Sequence, residues 1–233
     1  EPIAAVLPDL VSRAAPGSIL PAAQAIMTTD RYPKVRSRRV GPATVVGIAK
    51  GAGMIEPSMA TMLAFVLTDA AVDRASLQYL VSEAVENSFN RISVDGDQST
   101  SDMVLALSSQ RAQEVTEPEL SDAIAAVCRD LAADIVRNGE GVEHVMRVVV
   151  RAPGTEEEAA AIGKAIVNSP LVKTAVNGDD PNVGRIVSAV GDHLGAQLAP
   201  APLAAATVRL GGITVYRHGS FRLDGTKEEA LTA

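Results

Sequence analysis

Residues 116–138 constrain the fold more than any other stretch of the chain. Thr116 stands ahead of Glu117 and Pro118, a hydroxyl cap with a proline in the first turn. Leu120, Ile124, Val127, Leu131 and Ile135 then recur at helical spacing, and Asn138-Gly139 closes the pattern. A helix built this way carries one continuous apolar stripe that has to be buried. Residues 73–90 offer a second such face, with Leu77, Leu80, Val81, Ala84, Val85 and Phe89 behind the cap residue Asp73. The surface to receive them is at hand in two apolar, strand-length runs, residues 43–49 and 61–68.

The rest of the chain continues the alternation. Residues 103–107, 145–150 and 171–176 read as strands, and 207–217 as a hairpin broken at Gly211-Gly212. Residues 18–27 and 182–194 read as helices, as does a segment capped by Thr155 with Glu156 to Glu158 in its first turn. The basic stretch 31–39 reads as a solvated connector, 50–57 as a glycine-rich loop and 95–102 as a polar loop. Interleaved strands and helices predict an α/β fold: a mixed layered domain with sheets flanked by helices. At 233 residues the chain has room for one large domain or two small ones.

Charge and composition remove several classes of function. The formal net charge is −7 and the chain holds only three Phe, three Tyr and no Trp. That argues against nucleic acid or an anionic membrane surface as the main partner. No apolar run reaches the ~18 residues of a membrane-spanning helix. A single cysteine, Cys128, excludes an intrachain disulfide framework and fits a reducing compartment. With His144, His193 and His218 scattered, no Cys/His metal cluster is expected. The chain opens on Glu1 without a leader, and Thr226-Lys227-Glu228-Glu229 has the form of a capping box only a turn or two before Ala233. Both ends are therefore expected to be internal to a longer protein.

Familiar catalytic templates do not fit. The glycines around Lys50 match neither a phosphate-binding loop nor a dinucleotide fingerprint, and no Gly-x-Ser-x-Gly elbow occurs. What remains is a glycine-rich loop that leads through Ala60 and Thr61 into an apolar strand. A hydroxyl held there can attack the carbonyl of Ala60 in an N-to-O acyl shift. Hydrolysis of the resulting ester leaves Thr61 as a new N-terminus. An α-amine with a pKa of about 7.7–8.0 is a usable base at neutral pH, and it would sit beside its own nucleophilic hydroxyl. The competing reading is a threonine placed there by β-propensity alone.

The string Lys50-Gly51-Ala52-Gly53-Met54-Ile55-Glu56-Pro57-Ser58-Met59-Ala60-Thr61-Met62-Leu63 resembles the self-cleavage motif of the ornithine acetyltransferase family, the bifunctional glutamate N-acetyltransferases of arginine biosynthesis. Further blocks agree in order: Ala25-Ile26-Met27-Thr28-Thr29-Asp30, Ser93-Val94-Asp95-Gly96-Asp97-Gln98-Ser99-Thr100, Asn138-Gly139-Glu140-Gly141, and Asp180-Pro181-Asn182-Val183-Gly184-Arg185-Ile186. The resemblance implies cleavage between Ala60 and Thr61. Residues 1–60 would then belong to an α-subunit region and 61–233 to a β-subunit region, the fragments staying together in a heterotetramer.

It further implies that Thr61 takes acetyl from N-acetylornithine, releases ornithine and passes acetyl to glutamate. Thr28, Lys50, Thr61 and Glu140 match substrate-binding positions, with Thr29 as an alternative register for Thr28. No metal or resident cofactor is implied; acetyl-CoA is a candidate co-substrate, and the location is cytoplasmic. The family's oxyanion-hole Thr-Gly pair should lie upstream of Glu1, and its C-terminal substrate-binding Asn and Thr or Ser beyond Ala233. Val183 and Ser101 depart from the Trp and Asn usual at their positions, which bears on substrate preference. Two other functions share these residues: a self-processing aminopeptidase or hydrolase, and a catalytically silent amino-acid-binding relative.

Overall fold

The computed structural model describes residues 2–13, 16–56, 62–113, 115–151, 154–196 and 205–232. Its first sheet has the strand order β1 (Lys34–Val40), β2 (Ala43–Lys50), β3 (Leu63–Ala70), β4 (Met103–Ala112). The pairs β1–β2 and β2–β3 are antiparallel, and β3–β4 is parallel. A parallel pair needs a crossover, and α3 (Arg74–Glu86) supplies it. Its N-cap is Asp73, whose carboxylate accepts the Ala75 and Ser76 N–H groups. Ahead of the sheet come α1 (Pro2–Ser12) and the short α2 (Leu20–Ala25).

The long helix is α4 (Glu117–Arg137), closed at its start by a complete capping box between Thr116 and Glu119. It lies across β1 and β2 and against α3. Its stripe of Leu120, Ile124, Val127, Leu131 and Ile135 is buried, together with Cys128. The helix approaches β2 so closely that a Cβ on Gly47 would fall 2.5 Å from Val127 Cγ1 and 2.7 Å from Leu131 Cδ1. Only glycine permits that contact. The facing sheet residues are Val45, Ala49, Ala64 and Val66, all buried. Each fully buried Leu or Ile in this layer contributes about 1.5–3 kcal/mol.

The second half is built from α5 (Glu156–Asn168), α6 (Pro170–Asn177), α7 (Val183–Ala196), a small antiparallel sheet β5 (Thr207–Leu210), β6 (Ile213–Arg217), β7 (Ser220–Phe221), and α8 (Gly225–Thr232). Ile166, Val172 and Ala189 form one small core, and Val183, Val215 and Tyr216 another. Ties to the first layer are polar. Ser93 Oγ donates to Asn168 Oδ1 at 2.5 Å, Lys164 Nζ to Glu56 Oε1 at 2.9 Å and to the Ile92 carbonyl at 2.6 Å, and Lys173 Nζ to the Val94 carbonyl at 2.9 Å.

The mixed α/β expectation holds, and four local expectations need correction. The basic stretch 31–39 is mostly strand β1, not a connector: Arg36 pairs with Asp134 at 2.7 Å and Arg38 with Asp130, so carboxylates on α4 neutralise an edge strand that lacks an apolar pattern. Residues 171–176 are helical, because Ser169 caps Val172 N and Pro170 occupies the first turn of α6. Residues 145–150 have no ladder partner among the described residues. At α8 the capping acceptor is Asp224, which takes the Lys227 N–H at 3.1 Å, rather than Thr226. Helix α1 was not anticipated.

Candidate active site

The site grows from the end of β2. Strand alternation buries Val45, Gly47 and Ala49 toward α4, which puts Ile48 and Lys50 on the opposite face of the sheet. Lys50 is directly across from Leu63, the first residue of β3 and two residues after Thr61. Lys50 is only 6% exposed, yet no hydrogen bond or ion pair joins its side chain to another described residue. A lysine so far withdrawn from water, with no carboxylate beside it among the described residues, favours the arrival of an anion.

Immediately after Lys50 the chain turns. Gly51 has φ +151, a conformation L side chains rarely adopt, and its N–H donates to Asp30 Oδ1 at 2.9 Å. The other oxygen of Asp30 accepts the Thr28 N–H at 3.2 Å, and Lys34 Nζ closes on the same carboxylate. Burial by itself pushes the Asp30 carboxyl up; the hydrogen bonds from Lys34, Gly51 and Thr28 outweigh it and hold the group below the ordinary aspartate value. Asp30 therefore joins the Thr28 segment to the Lys50 loop.

Asn138, at the C-cap of α4, makes the second join. Its side-chain oxygen accepts the Arg31 N–H at 2.8 Å, and its amide nitrogen lies 3.5 Å from the Gly51 carbonyl. The turn that follows brings Glu140, whose N–H donates to the Ala52 carbonyl at 2.8 Å. The Glu140 carboxylate stacks over Gly53, where a Cβ would be 2.9 Å from it. A third clasp is Asp95, which accepts Met54 N at 2.6 Å and Ile55 N at 3.0 Å. The Val94 N–H reaches the Ile55 carbonyl at 2.8 Å.

Of the residues singled out from sequence, Thr28, Lys50 and Glu140 are thus gathered around Gly51 to Gly53. Thr28 and Thr29 are both exposed, and it is the Thr28 N–H that Asp30 holds. Ala60 and Thr61 lie outside the described residues. At the next residue, the Met62 N–H donates to Asp102 Oδ1 at 2.6 Å, and the Met62 carbonyl accepts Met103 N at 3.1 Å. Asp30 and Asp102 were missed as organising groups. Asp30 did sit in a block with Thr28, and an aspartate directly after a hydroxyl pair, shortly before a strand, is the kind of signal that could have marked it. Asn138 stands out in the sequence as a helix stop and as the start of the block that contains Glu140, not as a group that joins segments.

A cavity of about 530 Å³ lies elsewhere, between residues 91–94 and α5, and includes none of Thr28, Lys50 or Glu140. A smaller cleft of about 300 Å³ is lined by Met62, Ser82, Asn90 and Asp102. Among the described residues no group of three His, Cys, Asp or Glu could hold a metal ion, and no helix is long and apolar enough to cross a membrane.

Fold and site together define a mixed α/β protein in which a glycine-rich loop, leading out of a central strand, sets a buried lysine near an exposed glutamate. The ArgJ family model matches residues 1–233, and the chain belongs to the ArgJ family. It is 49% identical over 170 residues to arginine biosynthesis bifunctional protein ArgJ 2 of Nostoc sp., covering 73% of this chain and 44% of that one. To the ArgJ of Bradyrhizobium diazoefficiens it is 42% identical over 230 residues, 92% of this chain and 55% of that one. The crystal structure of ArgJ from Bacillus halodurans superposes with a TM-score of 0.65 at 36% identity, covering 74% of this chain and 81% of that chain. The chain spans about half the length of the curated relatives it matches.

Proposed function

We propose that this chain carries the acetyl-transfer centre of an ornithine acetyltransferase, with Thr61 as nucleophile after cleavage of the Ala60–Thr61 bond. Residues 1–60 and 61–233 are then the parts of two subunits. The observation that carries the reading is Lys50: a largely buried lysine at the end of β2, its side chain without a partner among the described residues, ahead of a loop against which Glu140 packs. An amino acid with a carboxylate at one end and an ammonium at the other complements that arrangement, as N-acetylornithine, ornithine and glutamate do in part. The Lys50–carboxylate and Glu140–ammonium assignments follow from charge.

The steps balance without a metal or a resident cofactor. Thr61 Oγ attacks the Ala60 carbonyl carbon, the C–N bond breaks, and water hydrolyses the ester to a carboxylate on Ala60 and a free α-amine on Thr61. That amine takes the hydroxyl proton as Oγ attacks the acetyl carbonyl of N-acetylornithine, then delivers it to the departing ornithine nitrogen. The glutamate α-amine attacks the acetyl-threonine ester, N-acetylglutamate leaves and the hydroxyl is restored. Acetyl-CoA could replace N-acetylornithine as acetyl donor, with its thiol leaving instead. The expected partners are these small molecules and the sister fragment, in a heterotetramer within the cytoplasm; no nucleic acid or membrane is called for.

Intact-mass analysis tests the cleavage: the full-length protein should give two fragments, the second beginning at Thr61, and Thr61→Ala one uncut chain. Incubation with N-acetylornithine and glutamate tests the transfer. N-acetylglutamate is the expected product. Acetate alone means a hydrolase, and binding without an acetyl adduct means a silent binding protein. A wild type that turns over fully as a single chain overturns the mechanism.

A further inference from the structure

We infer that Asp102 is a positioning residue for the Thr61 nucleophile, acting through the Met62 amide. The inference rests on the assignment of Thr61 proposed above. Asp102 stands at the end of the polar loop that precedes β4, and its Oδ1 accepts the Met62 N–H at 2.6 Å. That amide belongs to the peptide group joining Thr61 to Met62. The carbonyl of Met62 is held in turn by Met103 N at 3.1 Å, at the point where the β3–β4 register begins with Leu63 against Met103. Met62 itself is 3% exposed, so its side chain is anchored in the core.

The residue next to the nucleophile is thereby fixed at its amide, its carbonyl and its side chain. The amide is the part that a strand ladder does not supply, because β3 starts one residue later. A carboxylate acceptor makes this a charge-assisted hydrogen bond, shorter and stronger than a neutral one. Asp102 and Met62 also line the same cleft of about 300 Å³, so the contact borders open space rather than solid core. A hydroxyl that must meet two carbonyl carbons in succession, that of Ala60 and that of the acetyl donor, depends on this placement. A misplacement of about 1 Å can cost roughly 10²-fold in rate.

The test uses the full-length protein. Asp102→Ala should slow cleavage at Thr61, followed by intact mass, and lower kcat of the cut form, each about 10²-fold, with KM within about twofold. Asp102→Asn keeps an oxygen that can accept the Met62 N–H and should recover most of both rates. If Asp102→Ala does not fold, Asp102→Asn is compared with Asp102→Glu, which keeps the charge and shifts the acceptor; the asparagine should be the faster. Wild-type rates in Asp102→Ala, a change confined to KM, or an asparagine variant no better than alanine or glutamate overturns the inference. These outcomes leave the Thr61 assignment standing, which fails separately if the wild type is active uncut.

Discussion

Lys34 sets its ammonium on the Asp30 carboxylate with both side chains wholly shielded from solvent. The pair stands behind the glycine-rich loop that follows β2. Because Asp30 also accepts the Gly51 and Thr28 N–H groups, the ion pair and the loop geometry are one network. Lys34 is further placed over the ring of Tyr32, 5.4 Å from its centroid.

Removing one partner of a buried pair leaves an uncompensated charge, which costs about 3–5 kcal/mol. Lys34→Met should therefore lower the thermal midpoint markedly, whereas Arg38→Met, at the exposed Asp130 pair, should move it little. Equal shifts in the two variants would show that the Asp30 network is not what holds this corner.

The same network makes stability acid-sensitive in a defined direction. The folded-state Asp30 pKa is depressed, so above the ordinary value of about 3.9 the contribution is fully present. As pH falls from there through the folded-state value, the unfolded chain takes up the proton first and the contribution drains away. Urea midpoints measured below pH 5 should fall more steeply for wild type than for Asp30→Asn, which has no such proton to bind.

Lys50→Met separates a ligand-binding lysine from a structural one. Replacing a largely buried lysine whose side chain has no partner among the described residues should leave the thermal midpoint unchanged or higher. Losing a charged hydrogen bond to a substrate carboxylate should cost about 1.5–3 kcal/mol, roughly 10- to 100-fold in KM. A destabilised variant with normal KM would make Lys50 part of the scaffold only.

Gly53→Ala probes Glu140. The new Cβ would meet the Glu140 carboxylate at 2.9 Å, and that side chain is exposed and able to swing aside. The expected result is a stability change within about 0.5 kcal/mol, as for a surface substitution, accompanied by weaker binding of the ammonium-bearing substrate. Unaltered binding would place Glu140 outside the site.

Cys128 lies in the core against the sheet, and burial pushes its thiol up to about 12, with Arg129 pulling weakly the other way. Native protein at pH 8 should resist alkylation until unfolded. The folded pKa is raised, so stability should decline as pH climbs past the unfolded value of about 8.5. Cys128→Ala should flatten that alkaline slope.

The helices that carry a stripe and a cap, α3 and α4, could be read from residues alone, because Asp73 and Thr116 mark their starts and the leucines and isoleucines their buried sides. Lys50, Thr28 and Glu140 could be singled out only through a family's pattern. Their proximity depends on Asp30 and Asn138, polar groups whose partners lie 21 and 87 residues away along the chain. Strand β1 escaped notice because its arginines are neutralised by α4, a relation between segments about a hundred residues apart. Residues 171–176 misled because β-branched residues outweighed the Ser169-Pro170 start signal.

The β2–β3 ladder has a thermodynamic consequence. Val45 to Lys50 pair with Leu63 to Thr68, so the proposed scission falls between two strands that remain zipped together at the heart of the sheet, and Lys164 pairs with Glu56 in the stretch after β2. Before scission, refolding is a unimolecular event. Afterwards it becomes an encounter between two polypeptides, and the melting temperature acquires a dependence on protein concentration. The intact backbone serves once, as a tether for assembly, and dilution after denaturation should strand the halves apart.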